Sequence, residues 1–273
     1  MLTGLTQLFA KPNTFALKTL QERPKAGDLK DLFDKEAYML SKFGKEGTHN
    51  VRLLAKIVEK DTIGSRHTYS LLFPWAELDL GQYWRKSHIH RDDEPLFRSE
   101  ILWIAEQCYG LAKTLSHIHE PPELLNENGK QLFGRHGDIK PENILWFKND
   151  KGAMLAFADM GLTRVHKDSS RSNIPGQGIP QTPTYRPPEC DMAGREGYIS
   201  RSFDIWTLGC VFLEFIVWTL KGHEFGIKTF QEDRFGKYID PRAEVNMFFS
   251  LHCLEDSTSE FAFKVHDGVV KVR

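Results

Sequence analysis

Cysteine is scarce in this chain. The four present, Cys108, Cys190, Cys210 and Cys253, lie far apart and form no Cys-x-x-Cys pair. That excludes a disulfide-stapled miniature and predicts reduced thiols. A charge excess is also missing: 36 Lys and Arg face 37 Asp and Glu, a net charge of -1, which argues against a general nucleic-acid binder. Long apolar runs are missing too. The longest, Ile205 to Leu220, is broken by Glu214 and falls short of the roughly 20 residues a membrane helix needs, so a buried helix is expected and no membrane partner. The first residues carry neither the basic start nor the apolar stretch of a secretion signal, which predicts a cytosolic or nuclear protein. No repeat or low-complexity tract breaks the chain.

What remains is ordinary globular material, long enough for one large domain or two small lobes at about 150 residues each. Phe15 to Leu20 reads as a strand, with Pro12-Asn13 before it and a polar loop containing Pro24 after it. From Asp28, a natural N-cap, apolar residues fall at Leu29, Leu32, Phe33, Ala37, Leu40 and Phe43, and Gly44 closes the predicted helix. Val51 to Val58 and Tyr69 to Trp75 read as strands. Ile101 to Ile118 holds a helical period that ends before Pro121-Pro122. Two short strands, Ile144 to Phe147 and Met154 to Ala158, flank a turn at Asn149 to Gly152. A loop from His166 to Pro188 then leads to an all-round apolar helix from Asp204.

The polar residues with chemical potential crowd into His136-Gly137-Asp138-Ile139-Lys140-Pro141-Glu142-Asn143 and into Asp159-Met160-Gly161. Phosphoryl transfer asks for such a set: a carboxylate to orient a hydroxyl, oxygen ligands for Mg2+ and cations for the phosphates. Glu36 adds an independent clue. It lies on the apolar stripe of its helix, where a lone carboxylate is costly to bury, and so calls for a cation; a carboxylate at the stripe's edge reaching solvent is the bland alternative.

At these residues the chain resembles the eukaryotic protein-kinase family, whose catalytic loop reads HRDxKxxN and whose metal-binding loop reads DFG. The resemblance spans roughly residues 15 to 220. It implies an α+β, two-lobed fold with a small antiparallel-sheet lobe and a helical large lobe, incomplete relative to the family. The lobes are expected at residues 1–75 and 76–220, with a divergent part at 221–273. It implies Asp138 and Lys140 as catalytic residues and Asn143 and Asp159 as Mg2+ ligands. Lys18 would hold the ATP phosphates, with Glu36 as its partner. Ala16, Phe73, Ala76 and Leu145 would surround the adenine, although core packing explains the apolar ones equally well. Thr182 resembles the threonine that ties the substrate loop to Lys140, so the implied partner is a protein with a Ser or Thr acceptor. Thr182 to Glu189 is similar to the segment ending in Ala-Pro-Glu, and Asp204 to Gly209 to the DxWxxG start of a buried helix. Leu71–Ala76, Arg135–Phe147 and Ser200–Cys210 are especially similar to kinase-domain proteins of filamentous fungi.

The departures carry their own expectations. Gly137 stands where the family has the arginine that binds a phosphate on the activation loop, so activity is expected to be independent of phosphorylation at Ser169, Ser170, Ser172 or Thr184. Met160 replaces a phenylalanine, a milder change. No GxGxxG precedes the lysine strand, which implies weak ATP binding. No arginine is evident for Glu189, whose burial alone would be costly. His90-Arg91-Asp92 matches the HRD letters, yet Glu94 and Phe97 stand where lysine and asparagine are needed, so a solvated loop is expected there. His117 and His119 are two residues apart, on different helix faces, and read as structural histidines.

Overall fold

The computed structural model describes residues 5–7, 14–20, 28–45, 47–61, 67–122, 124–125, 128–149, 152–162, 164–166, 183–191, 200–237, 244–253 and 261–271. Its first unit is a four-stranded antiparallel sheet of β1 (Leu5–Gln7), β2 (Phe15–Thr19), β3 (Ala55–Lys60) and β4 (His67–Pro74), in the order β1-β2-β4-β3. The helix α1 (Leu29–Phe43) packs against it. This helix forms where the sequence predicts. The Asp28 carboxylate accepts from the Lys30 backbone N–H at 3.0 Å, and the Gly44 N–H closes the last turn on the Leu40 carbonyl at 2.8 Å. Its buried face carries Phe33, Ala37, Leu40 and Phe43, and Glu36 among them.

Two boundaries differ from the sequence reading. Val51 to Leu54 is not part of β3. Val51 donates instead to the Phe157 carbonyl at 2.8 Å, tying the connector to the other lobe. Within residues 5–20, the sequence suggests no partner strand for β2, whereas Leu5–Gln7 pairs with it from Leu5↔Lys18 to Gln7↔Ala16. Residues 8–13 lie outside the described residues.

The larger unit begins with β5 (Leu78–Asp79) and α2 (Leu80–Lys86), the latter started by a reciprocal cap between Asp79 and Gln82. The long helix α3 (Glu94–His119) starts about two turns earlier than its apolar period suggests, because Asp93 caps the Leu96 N–H at 3.1 Å and Pro95 suits the first turn. Next come β6 (Phe133–Arg135), the hairpin of β7 (Ile144–Asn149) and β8 (Gly152–Phe157), and β9 (Arg164–His166), which pairs with β6. The apolar helix α4 (Ser202–Gly222) runs through the core, burying Leu208, Val211, Phe215 and Trp218 against Leu111, Leu115, Ile139 and Phe157. By length and composition its run could cross a membrane, yet it buries Asp204 and Glu214 as well as its apolar residues. A π-helical turn (His223–Lys228) leads to α5 (Thr229–Asp233). The hairpins of β10 (Phe235–Lys237) with β11 (Glu244–Asn246) and of β12 (Phe249–Cys253) with β13 (Phe261–Val265) follow, then α6 (Asp267–Val270).

Candidate active site

Strand pleating sets the first cation. Ala16 and Lys18, two residues apart, share a face of β2, and α1 lays Glu36 over it. Lys18 Nζ donates to Glu36 Oε1 at 2.6 Å and to Asp159 Oδ1 at 2.7 Å, a contact across 141 positions of sequence. Burial works against the Lys18 ammonium, but the two carboxylates overcome it and hold its pKa above the ordinary lysine value. Asp159 is the reciprocal case. Burial pushes its carboxyl up, and Lys18, with help from the Gly161 N–H, more than reverses the push, leaving it below the usual carboxylate range.

Asp159 is also the one non-glycine residue at positive φ among the described residues, at 61°. Backbone strain of this kind persists only where the surroundings enforce it, and it concentrates at functional positions. Gly161 leaves room for the bend, since a Cβ there would lie 3.1 Å from Asp159 Oδ1 and 3.4 Å from Glu36 Oε2. Met160, between them, is buried in the cluster that holds Phe33, Ala37 and Leu40 of α1, where its flexible thioether fills apolar space.

The second half of the site is the loop after β6. Asn143 Nδ2 donates both to the Asp138 carbonyl at 2.8 Å and to Asp138 Oδ2 at 2.7 Å, while Lys140 Nζ lies 2.9 Å from the same oxygen. The Ala158 N–H donates to the Asn143 carbonyl at 2.9 Å, which fastens this loop to the residue before Asp159. His136 sits beneath both. It is fully buried, burial holds its imidazole below the ordinary histidine pKa, and Asp204, Asp138 and Asp159 each pull the other way.

One fastening escaped the sequence reading, which saw Asp204 only as a helix opening. Its buried carboxylate accepts the N–H groups of His136 and Gly137, each at 2.8 Å, and lies 2.9 Å from His119 Nε2. A buried charge persists when it is satisfied in this way. Gly137 adopts φ 86°, a conformation glycine reaches without penalty. His119 is thus structural, and His117 stacks edge-on against Phe43.

Ala16 and Phe73 are register partners on β2 and β4, and Leu145 packs against the cluster that contains both. Ala76 lies in the connector between β4 and β5. Thr182 and the serines at 169, 170 and 172 lie outside the described residues. The decoy triplet is no catalytic loop, but neither is it merely solvated: the Arg91 guanidinium donates to the Thr219 and Trp218 carbonyls at 3.0 Å each, capping α4. Glu189 is only half-buried and accepts from the Ser202 hydroxyl at 3.4 Å, so the expected cost of a buried lone carboxylate does not arise. A separate groove of about 800 Å³ runs between α3 and α4, lined by Leu115, His119, Leu208 and Phe212; none of the site residues named above borders it.

The geometry now meets the comparisons. The protein kinase domain family matches the chain over residues 10–232. The chain belongs to the protein kinase family. Cyclin-dependent kinase 14 from Homo sapiens is 31% identical over 158 residues, 57% of this chain and 28% of that protein. The MAPK/MAK/MRK overlapping kinase from Homo sapiens is 38% identical over 120 residues, 44% of this chain and 23% of that one. The ovarian-specific serine/threonine-protein kinase Lok from Drosophila melanogaster is 36% identical over 106 residues, 38% of this chain and 21% of that one. The chain therefore spans less than a third of the length of these curated relatives. All three come from animals, and the expected likeness to proteins of filamentous fungi is not shown.

Proposed function

We propose that this protein kinase domain transfers the terminal phosphoryl group of ATP to serine or threonine hydroxyls of protein substrates. The observation that carries the reading is the meeting of Lys18, Glu36 and Asp159 in one ion-paired cluster beside a loop that binds Asp138, Lys140 and Asn143 together.

The donor set suits Mg2+. Asn143 engages Asp138 through its amide nitrogen, so its carbonyl oxygen can serve as a ligand, and the described contacts of Asp159 all use Oδ1. Hard oxygen donors of this kind favour Mg2+. Asn143 and Asp159 would hold the ion, which when bound neutralises phosphate charge. Asp138 orients the acceptor hydroxyl, its own carboxylate fixed by Asn143 and Lys140. Lys140 steadies the transferred phosphoryl group, and Lys18, positioned by Glu36, holds the other phosphates. Ala16, Phe73 and Leu145 provide apolar surface for the adenine, and Ala76 backbone hydrogen bonds. Residues 182–189 form the peptide platform. Gly137 supplies no guanidinium to dock a loop phosphate, so activity does not require phosphorylation at Ser169, Ser170, Ser172 or Thr184. The thiols of Cys108 and Cys210, neither of them in a disulfide, fit a cytosolic or nuclear setting.

The test is phosphate transfer from ATP to a generic basic protein, with Asp138→Asn as the control. Transfer by the wild type and a loss of at least about a hundredfold in the variant are expected; equal signal from both would sink the proposal. A second reading is a kinase-like binding module without turnover. Robust turnover overturns it.

A further inference from the structure

The residues after α4 grip the 183–189 segment from behind. Thr184 Oγ1 donates to Asn246 Oδ1 at 2.6 Å. The neighbouring Tyr185 ring lies 5.9 Å from that of Phe248, and its hydroxyl donates to Glu214 Oε2 at 2.7 Å. The other oxygen of Glu214 accepts from Arg234 Nη2 at 2.9 Å. The Arg234 guanidinium is itself sandwiched between Phe230 and Phe248, 3.8 and 4.0 Å from their centroids. Tyr185, Glu214, Arg234 and Phe248 are all buried.

We infer that Asn246, backed by Phe248 and Arg234, is a positioning residue that holds the Thr184–Tyr185 stretch in the shape that receives the acceptor peptide. The inference rests on residues 182–189 being the peptide platform. The packed Tyr185 side chain fixes the depth of the stretch, and the Thr184 hydrogen bond fixes its lateral placement at the rim. The described contacts of Asn246, Phe248 and Arg234 run to Thr184, Tyr185 and Glu214, and not to Lys18, Asp138 or Asp159. Peptide binding should therefore respond to this clamp while nucleotide binding does not.

Asn246→Ala tests it with little risk to folding, because the side chain is half-buried and lies at a strand end. The KM for a peptide substrate should rise about fivefold, the scale of one lost hydrogen bond, with kcat and the KM for ATP unchanged. Asn246→Asp keeps an oxygen acceptor for the Thr184 hydroxyl and should restore the peptide KM. Thr184→Val should match Asn246→Ala, and the double variant should be no worse than either alone. Amide exchange across residues 183–189 supplies a readout that needs no activity: it should quicken in Asn246→Ala and not in Asn246→Asp. An unchanged or lowered peptide KM, an equal rise in the KM for ATP, or unchanged exchange would overturn the inference. If the wild type transfers no phosphate, the proposed function fails, and the exchange comparison alone decides the clamp.

Discussion

The Lys18 and Arg234 clusters are both cations held by buried or half-buried acids, and they differ in what surrounds them. Lys18 and Asp159 keep 19% and 29% of their side-chain surface open, whereas Arg234 and Glu214 keep none. The open cluster has three members, a strained backbone at Asp159 and room to exchange partners. The closed one is walled by two aromatic rings and a tyrosine hydroxyl. A charge pair in contact with solvent can be rearranged by a ligand at modest cost; one fully removed from water cannot lose a member without stranding the other. The first arrangement suits a reacting site, and the second suits a joint.

The sharpest way to break this contrast is Arg234→Met. It strands the Glu214 carboxylate and should lower unfolding free energy by about 3–5 kcal/mol in urea titration, with much of the loss recovered when Glu214→Leu is added. A loss below about 1 kcal/mol would make the closed cluster no more demanding than the open one. Next in size, Gly137→Ala should destabilise by about 1–2 kcal/mol, because its φ of 86° is unfavourable to any Cβ and the Asp204 carboxylate holds its N–H in place. Lys18→Met should cost about 1–2 kcal/mol in the same titration, less than Arg234→Met because water can reach Asp159, although Glu36 is left buried without its cation, while phosphate transfer falls by more than tenfold. The smallest effect is in pH. The lowered Asp159 pKa contributes stability that is present above the unfolded value near about 4 and lost as pH falls through the folded value. The raised Lys18 pKa contributes stability that is full below about 10.4 and lost as pH rises through its folded value. In Lys18→Met the lysine contribution disappears, and burial, no longer opposed by the ammonium, pushes the Asp159 carboxyl up, so the loss of stability at the acid end should disappear as well.

Legibility in the sequence followed the range of the interactions. Asp28, Gly44 and the stripe between them announce α1 because caps and helical periodicity act within a few residues. The Asp138, Lys140 and Asn143 loop was legible for the same reason, its spacing being local. Glu36 announced a need for a cation through its place on an apolar stripe. Asp204 gave a similar signal, a carboxylate at the opening of an apolar helix, without saying that two backbone amides and a histidine would answer it. Glu214 also stood out inside its apolar run, and Arg234, 20 residues later, could have been weighed as its partner. The terminal hairpins had no such mark.

By itself, the sequence determined the three long helices, most of the central strands and the inventory of acids, amides and ammonium groups, because caps, alternation and motif spacing are encoded over a few neighbouring residues. The tertiary structure alone decided which charges meet. Lys18 finds Asp159, Asp204 finds the His136 and Gly137 amides, and Asn246 finds Thr184. These pairings depend on how the sheet, the hairpin and the buried helix pack, and the free energy of burying each charge is settled only by what the completed fold places beside it.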